Sequence, residues 1–430
     1  MSAAALSTNE RAIVGYSSAG HALMHLMTAF WPYIAVSLRH AWSESGTPLD
    51  SEILLLPLWQ IGSFLIGLVA LPAGWLADRW SAPGMLVVMF AGMGGASIAC
   101  AFVPDRDFLA MSVCLALLGA FAGIYHAVGI GWVMRNATRA GRAMGINGVF
   151  GSLGLMASGL VTGLLANLLS WRAAFLVPGI VCLLLACGLL YHWRTGVVGD
   201  RPMPKAAGPQ PGKNDLIKVF LILTFTMFIS GIGFSAVQYG VPGMIETRMA
   251  GEIAGLQHLG ALAGISTEIV FWVGVAGSVI YGTSGLFQYF AGTLADRYPL
   301  KTVYVLSQGL QVLALLGIAL LPGVGLLLAA MASAILSSMA GPAENLLIGR
   351  YTPSRFHGVG FGAKFIVAFG AGPLAIELMR QSKSQTGDLV WLFVALAAVA
   401  ISVWLLSMLL PNERRSRPTI AAPQLPALAE

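Results

Sequence analysis

Apolar segments of roughly 20 residues recur along the whole chain, and they constrain its fold more than any other feature of the sequence. A helix of that length crosses about 30 Å of hydrocarbon, and it satisfies its backbone hydrogen bonds internally, as lipid requires. Only 10% of the 430 residues are charged and 57% are hydrophobic. Because a soluble domain carries about a quarter charged residues, the sequence predicts a chain surrounded by lipid.

Twelve such segments are expected, six in each half. The predicted spans are 13–37, 53–76, 83–104, 108–134, 143–167, 172–193, 217–243, 266–294, 301–321, 323–349, 357–380 and 388–410. The first span lacks the basic start and cleavage site of a signal peptide, so we expect it to remain as a helix. The segment between the halves is rich in Pro, Gly and charged residues, a composition that is typical of a linker. We therefore predict an all-α membrane protein with an N-terminal bundle (1–193), a cytoplasmic linker (194–216), a C-terminal bundle (217–410) and a tail (411–430).

The loop charges predict the orientation of the chain. Seventeen Lys and Arg residues lie on the side that carries both termini and six on the other side. Basic loops favour the cytoplasm, so both termini are predicted to be cytoplasmic, in the inner (plasma) membrane. The net charge of +6 is then explained by these loops, and no nucleic-acid partner is expected. The four cysteines lie in apolar runs without metal-site spacing and are predicted to pack.

A duplicated motif indicates that the two halves are repeats. The sequence Gly-Trp-Leu-Ala-Asp-Arg that ends at Arg79 recurs as Gly-Thr-Leu-Ala-Asp-Arg ending at Arg297. The offset between Asp78 and Asp296 is 296 − 78 = 218 residues. The same offset relates His126 to Glu344, which supports an internal duplication.

Repeated six-helix halves with this motif after helices 2 and 8 resemble the major facilitator superfamily. The resemblance implies transport by alternating access, with the four motif residues at the cytoplasmic gate, namely Asp78, Arg79, Asp296 and Arg297. Determination of topology alone is the alternative role for the motif.

A narrower resemblance is to the fosmidomycin-resistance-like efflux branch. It rests on His21-x-x-x-His25, on Tyr125-His126, and on Gly141-Arg142 before a glycine-rich helix 5. This resemblance implies export by antiport and adds Arg142 to the gating residues. The small-residue stripe of helix 5 also favours close helix packing.

Few ionisable residues lie at membrane depth, where they are candidates for function. His21 and His25 are four residues apart and share one face of helix 1, where they are suited to relay protons or bind substrate. A structural role, in which each donates to a neighbouring helix, is the alternative. A metal pair is the least favoured interpretation, because no third or fourth ligand is evident.

His126 and Glu344 are predicted to face a cavity between the halves. Glu344 is the leading candidate for a proton-carrying carboxylate, with a fixed ion pair to Lys364 as the alternative. Lys364 is also placed to attract an anionic group. Gln60, Asn147 and Gln238 are expected either to hydrogen-bond a substrate or to join helices.

Taken together, these features predict a monomeric secondary transporter that moves a small organic molecule, coupled to protons and in the export direction. Proton-coupled uptake of an organic anion and a non-transporting scaffold or sensor with the same fold are the alternatives. Enzymatic activity is not expected, since no nucleophile-base pair is apparent. No cofactor or metal is predicted, and the proton gradient is the expected source of energy.

Overall fold

The computed structural model is helical throughout the residues it describes, which are 8–44, 52–138, 140–200, 213–263, 267–351 and 357–412. The helices are α1 (Thr8–Ala29), α2 (Trp31–Glu44), α3 (Gln60–Arg79), α4 (Ala82–Ala101), α5 (Phe108–Ala122), α6 (Ile124–Asn136), α7 (Ala140–Leu168), α8 (Trp171–Arg194), α9 (Lys213–Arg248), α10 (Ala250–Leu262), α11 (Ile269–Arg297), α12 (Leu300–Leu320), α13 (Gly323–Tyr351), α14 (His357–Thr386) and α15 (Val390–Ser407). Two short 3-10 helices, Glu52–Leu54 and Leu56–Trp59, precede α3.

Within the described residues, ten helical segments are long and apolar enough to cross a membrane. One of them joins α5 and α6 across Gly123. The other two predicted crossings correspond to α14 and to α1 with α2, which are separated by a bend at Phe30. Pro32, which has no backbone N–H, lies in the first turn of α2 and favours a new helix start there. The predicted all-α membrane fold is confirmed, and these helices are consistent with twelve crossings.

One boundary and one additional helix differ from the sequence prediction. Residues 213–216, which were predicted as linker, are the first turn of α9. The loop after α9 contains α10, which has 13 residues and is too short to span the hydrocarbon. Its polar residues Glu252 and His258 are exposed, so α10 lies outside the predicted spans.

The packing of the helices follows the duplication. In the first half α1 packs on α7 and α4 packs on α8; in the second half α9 packs on α14 and α12 packs on α15. Between the halves, α7 contacts α11 and α3 contacts α14. These two contacts join the fifth crossing of one half to the second crossing of the other, as a pseudo-twofold relation requires.

Glycines of α7 allow its close contacts on both sides. A side chain at Gly154 would clash with the backbone of Ala22 in α1, and one at Gly159 would place its Cβ 2.5 Å from the carbonyl oxygen of Gly274 in α11. Backbones at this distance exclude any larger residue. Helix α7 is the glycine-rich helix 5 of the sequence prediction. Its small residues therefore allow close helix packing both within the first half and between the halves.

The two halves meet on the side that the loop charges predict to be periplasmic. Glu246 of α9 accepts hydrogen bonds from Arg39 and from His40 of α2, the latter over 3.1 Å. On the opposite part of α7, a Cβ added at Gly145 or Gly148 would meet no atom of the described residues within 4 Å. The structure is thus closed on the predicted periplasmic side and open around the predicted cytoplasmic part of α7.

Candidate functional site

A cavity of about 410 Å³ lies between the halves. Helices α1, α3, α6 and α7 form its first wall, and α9 and α11–α15 form the second. Its polar lining residues are His21, His25, Thr28, Ser63, His126 and Ser152 from the first half and Ser230, Ser235, Gln238, Tyr239, Tyr281, Ser284, Gln288, Ser307, Gln308, Gln311, Ser337, Ser338 and Glu344 from the second. In a chain surrounded by lipid, polar side chains that line an internal cavity indicate a water-filled path or a binding site.

Three histidines form a cluster on the first wall. The ring centroids of His21 and His25 are 4.9 Å apart, and the His126 centroid lies 5.4 Å from each of them. One ring nitrogen from each residue lies within 4.8 Å of the others. The helical spacing of His21 and His25 explains why they meet, whereas His126 comes from α6 across the interior.

The orientation of His21 is set by its neighbours. Its Nδ1 lies 2.8 Å from the backbone carbonyl oxygen of Asn147. Because a carbonyl oxygen only accepts, this nitrogen carries a proton, and in the neutral imidazole Nε2 then keeps its lone pair. The Tyr125 ring stacks on the imidazole at 4.8 Å. Gly151 leaves room for the ring, since a Cβ added there would lie 2.5 Å from His21 Cε1.

Asn147 is buried behind this cluster rather than on the cavity wall. Its side-chain amide donates to Ser17 Oγ at 3.1 Å and to the Tyr125 hydroxyl at 2.7 Å. Ser17 in turn donates to the carbonyl oxygen of Gly129. Asn147 therefore joins α1, α6 and α7, which favours the helix-joining role over direct contact with a substrate.

The polar side chains of the second wall, apart from Glu344, carry hydroxyl or amide groups. Gln238 lines the cavity and is 8% exposed. Gln308 accepts from Ser230 at 3.2 Å, and Gln311 donates to Ser333 at 2.6 Å. Glu344 lines the same cavity. The structure thus brings Glu344 and its repeat partner His126 to one cavity from opposite halves.

Other predicted site residues lie elsewhere. Gln60 is at the contact of α3 with α14, where its side chain donates to the carbonyl oxygen of Pro373 at 3.4 Å. The side chains of Arg142, Asp296 and Lys364 lie outside the described residues. The gate roles of the first two and the ion pair of Lys364 with Glu344 stay predictions.

The loop motif of the first half forms an ionic cluster on the predicted cytoplasmic side. The Arg135 side chain of α6 is 6% exposed and donates to Asp78 at 3.4 Å. It also forms a bidentate ion pair with Asp200, with both hydrogen bonds at 3.1 Å. Arg79 lies over the Trp75 ring at 4.0 Å. In the second copy of the motif, Arg297 is exposed. Asp78 thus contacts a residue of its own half in this conformation.

Sequence reasoning missed two charged clusters that the fold assembles. Arg135 was counted only as a topology charge, and Asp200 only as part of the linker. Arg39 and Glu246 flank predicted spans, and nothing in their spacing pairs residues 207 positions apart. The burial of Glu246, which is 5% exposed, is unusual for a carboxylate outside a predicted span, but burial becomes known only from the fold.

Comparisons with known proteins agree with this architecture. Residues 18–282 match the family model described as Major Facilitator Superfamily. Among solved structures, the chain is similar to one described as "Crystal structure of D-xylose-proton symporter", with a TM-score of 0.68 and 14% sequence identity. The match covers 91% of this chain and 96% of that chain, and at this identity it shows a shared fold. A search of curated protein sequences finds no match.

Proposed function

The chain belongs to the major facilitator superfamily, and from this premise we propose that it moves a small organic molecule across the inner membrane in exchange for protons. Members of the superfamily are secondary transporters, which use an existing gradient. The narrower resemblance to the fosmidomycin-resistance-like branch supports the export direction. The loop charges support cytoplasmic termini, and we propose that the chain works as a monomer.

The observation that carries this proposal is the polar cavity at the boundary of two pseudo-symmetric halves. Transporters of this type bind their substrate near the middle of the bilayer, at the interface of their repeats, and expose it to each side in turn. A volume of about 410 Å³ lies within the range of pockets for small molecules, about 300–1,000 Å³. The cavity is closed on one side and open on the other, as expected for one of the two end conformations of alternating access.

Glu344 is the proposed proton carrier. Its carboxylate lies on the cavity wall, where it exchanges protons with whichever side the cavity faces. A charged carboxylate at membrane depth costs several kcal/mol, so protonation changes the relative stability of conformations that differ in its hydration. The histidine cluster on the opposite wall is proposed to contact the substrate.

Proton-coupled uptake of a neutral solute is the second candidate. The described polar side chains of the second wall, apart from Glu344, carry hydroxyl or amide groups, which suit a molecule rich in hydroxyl groups. Lys364, on which uptake of an organic anion rested, lies outside the described side chains. The similar solved structure is described as that of a proton symporter, which makes symport worth testing beside antiport.

The test begins with a thermal-shift screen, because a solute that prefers the folded protein raises its apparent stability. Flux of that solute is then measured in proteoliposomes with an imposed pH gradient. We expect the gradient to drive flux in the wild type and in Glu252→Gln, which changes an exposed carboxylate of α10. Glu344→Gln is expected to abolish the coupling without loss of folded protein.

Two results would contradict this proposal. Flux that is indifferent to the gradient rejects proton coupling, and unaltered flux in Glu344→Gln removes Glu344 from the mechanism. The sign of the response separates the two candidates, because antiport requires solute and protons to move in opposite directions.

A further inference from the structure

We infer that His21, His25 and His126 form a binding site for a divalent transition-metal ion of the Zn²⁺ class. Proton-coupled transport requires no metal, so this inference goes beyond the function proposed above. It rests on the geometry of three imidazoles that share one wall of the cavity.

The distances fit a site that closes around an ion. The three ligand nitrogens lie within 4.8 Å of one another. A tetrahedral Zn²⁺ site with Zn–N bonds of about 2.0–2.1 Å places its ligand atoms about 3.4 Å apart. The largest separation therefore has to shorten by at most about 1.4 Å. The site would close by rotation of the His25 and His126 rings, whose centroids lie 4.9 Å and 5.4 Å from that of His21.

His21 has the form that a metal ligand requires. Its Nδ1 proton is held by the carbonyl oxygen of Asn147 at 2.8 Å, so Nε2 is the unprotonated nitrogen of the neutral imidazole. A metal-bound histidine almost always donates its other N–H to a carbonyl or carboxylate in this way, and the partner fixes the tautomer and the ring orientation. Asn147 is itself held by Ser17 and Tyr125.

Imidazole nitrogens select the class of ion. They suit Zn²⁺, Cu²⁺, Ni²⁺ and Fe²⁺, whereas Mg²⁺ and Ca²⁺ prefer oxygen ligands. Three neutral imidazoles give the ion no compensating charge, but the Glu344 carboxylate lines the same cavity. A three-histidine set also keeps a further coordination position open, and the three histidines line the cavity.

A cluster that only packs helices is the alternative to a metal site. Ring contacts alone explain why three histidines lie together. Donation of the His21 proton to α7 also fits that alternative. The metal site is favoured because the three histidines line a cavity between the halves and offer three nitrogens within 4.8 Å of one another.

The experiment uses the full-length protein, purified in detergent without a polyhistidine tag. Titration with Co²⁺, which reports its ligands through its visible absorption spectrum, is expected to show one saturable site per chain. Loss of an outer-shell partner costs about 10- to 100-fold in affinity, so loss of a ligand in His126→Ala is expected to cost at least about 100-fold. The matched control is His258→Gln, which removes an exposed imidazole of α10 and is expected to leave the affinity unchanged.

A second measurement does not depend on any variant folding. X-ray absorption of the Zn²⁺-loaded wild type is expected to show imidazole nitrogens at about 2.0–2.1 Å. The inference is overturned if the wild type binds no Co²⁺ saturably, if His126→Ala binds as tightly as the wild type, or if the bound Zn²⁺ has only oxygen ligands. Neither measurement involves flux, so its outcome is independent of the outcome for proton coupling.

Discussion

The backbones of α7 and α11 meet where Gly159 contacts Gly274, and we predict that Gly159→Ala opens the predicted periplasmic side. The added Cβ would lie 2.5 Å from the Gly274 carbonyl oxygen, 0.9 Å short of the 3.4 Å at which ordinary contact begins. The obstructing atom belongs to a helix backbone and cannot rotate away. The helices must therefore move apart, which also strains the Ser278 hydroxyl bonds to Leu160 N and Met156 O.

The cost of this separation follows from the behaviour of other packed interiors. Inserting a methyl-sized group into a filled contact costs about 1–3 kcal/mol. The cost falls only on the conformation in which the helices touch, so it shifts the balance toward the other conformation by about 5- to 150-fold.

Pulsed electron-electron double resonance between spin labels at Leu169 and Leu262 measures this shift. Both residues are exposed at predicted periplasmic ends, one in each half. We expect Gly159→Ala to move the distance distribution to longer separations, and we expect Gly148→Ala to leave it unchanged. The control makes the same substitution on the same helix, where the added Cβ meets no atom within 4 Å. The reasoning is refuted if Gly159→Ala keeps the wild-type distribution or if both variants shift it equally.

Two further substitutions test the contacts around the cavity. Glu246→Gln removes the charge that pairs with Arg39 and is expected to weaken closure of the predicted periplasmic side by about 1–3 kcal/mol. The expected result is a longer separation between the spin labels at Leu169 and Leu262. An unchanged separation would exclude this ion pair from the gate. Asn147→Ala removes two buried hydrogen bonds and is expected to lower the free energy of unfolding by about 1–3 kcal/mol. Gln60→Ala removes only a 3.4 Å hydrogen bond and is expected to change the free energy of unfolding by less than about 0.5 kcal/mol. Equal losses of stability in Asn147→Ala and Gln60→Ala, measured by thermal unfolding, would contradict the roles assigned to these two amides.

The membrane fold was predictable because each crossing carries its own signal. A helix in lipid needs a continuous apolar run, and the repeated motif ties the two sets of runs together. Elements shorter than a crossing were not predictable in this way. Helix α10 has only 13 residues, so it has no apolar run of the length that predicts a crossing. The bend at Phe30 lies inside a continuous apolar run, from which a single helix was predicted.

The site was predictable only where the chain itself brings residues together. The spacing of His21 and His25 is a property of one helix, and the repeat offset pointed to His126 and Glu344. The contact of His126 with the other two histidines depends on how α6 packs against α1. For that reason, a metal site was given little weight from the sequence.

Residue type alone did not decide the roles of the amides or of the loop charges. Asn147 and Gln238 read alike in the sequence, yet the first joins helices and the second lines the cavity. Arg39 was counted as a periplasmic loop charge, and its partner Glu246 lies on the other half. Such pairings are set by tertiary packing, which a single sequence does not record.

The central claim is that the cavity between the halves opens alternately to the two sides of the membrane. Gly148 lines that cavity and has room for a side chain, so the direct measurement is the labelling of Gly148→Cys by a membrane-impermeant thiol reagent. It is made in inside-out and right-side-out vesicles after replacement of the four native cysteines. The account predicts labelling from both sides and slower labelling when a bound solute fills the cavity. Labelling from one side only, under every condition, would contradict it and favour a scaffold that retains the fold.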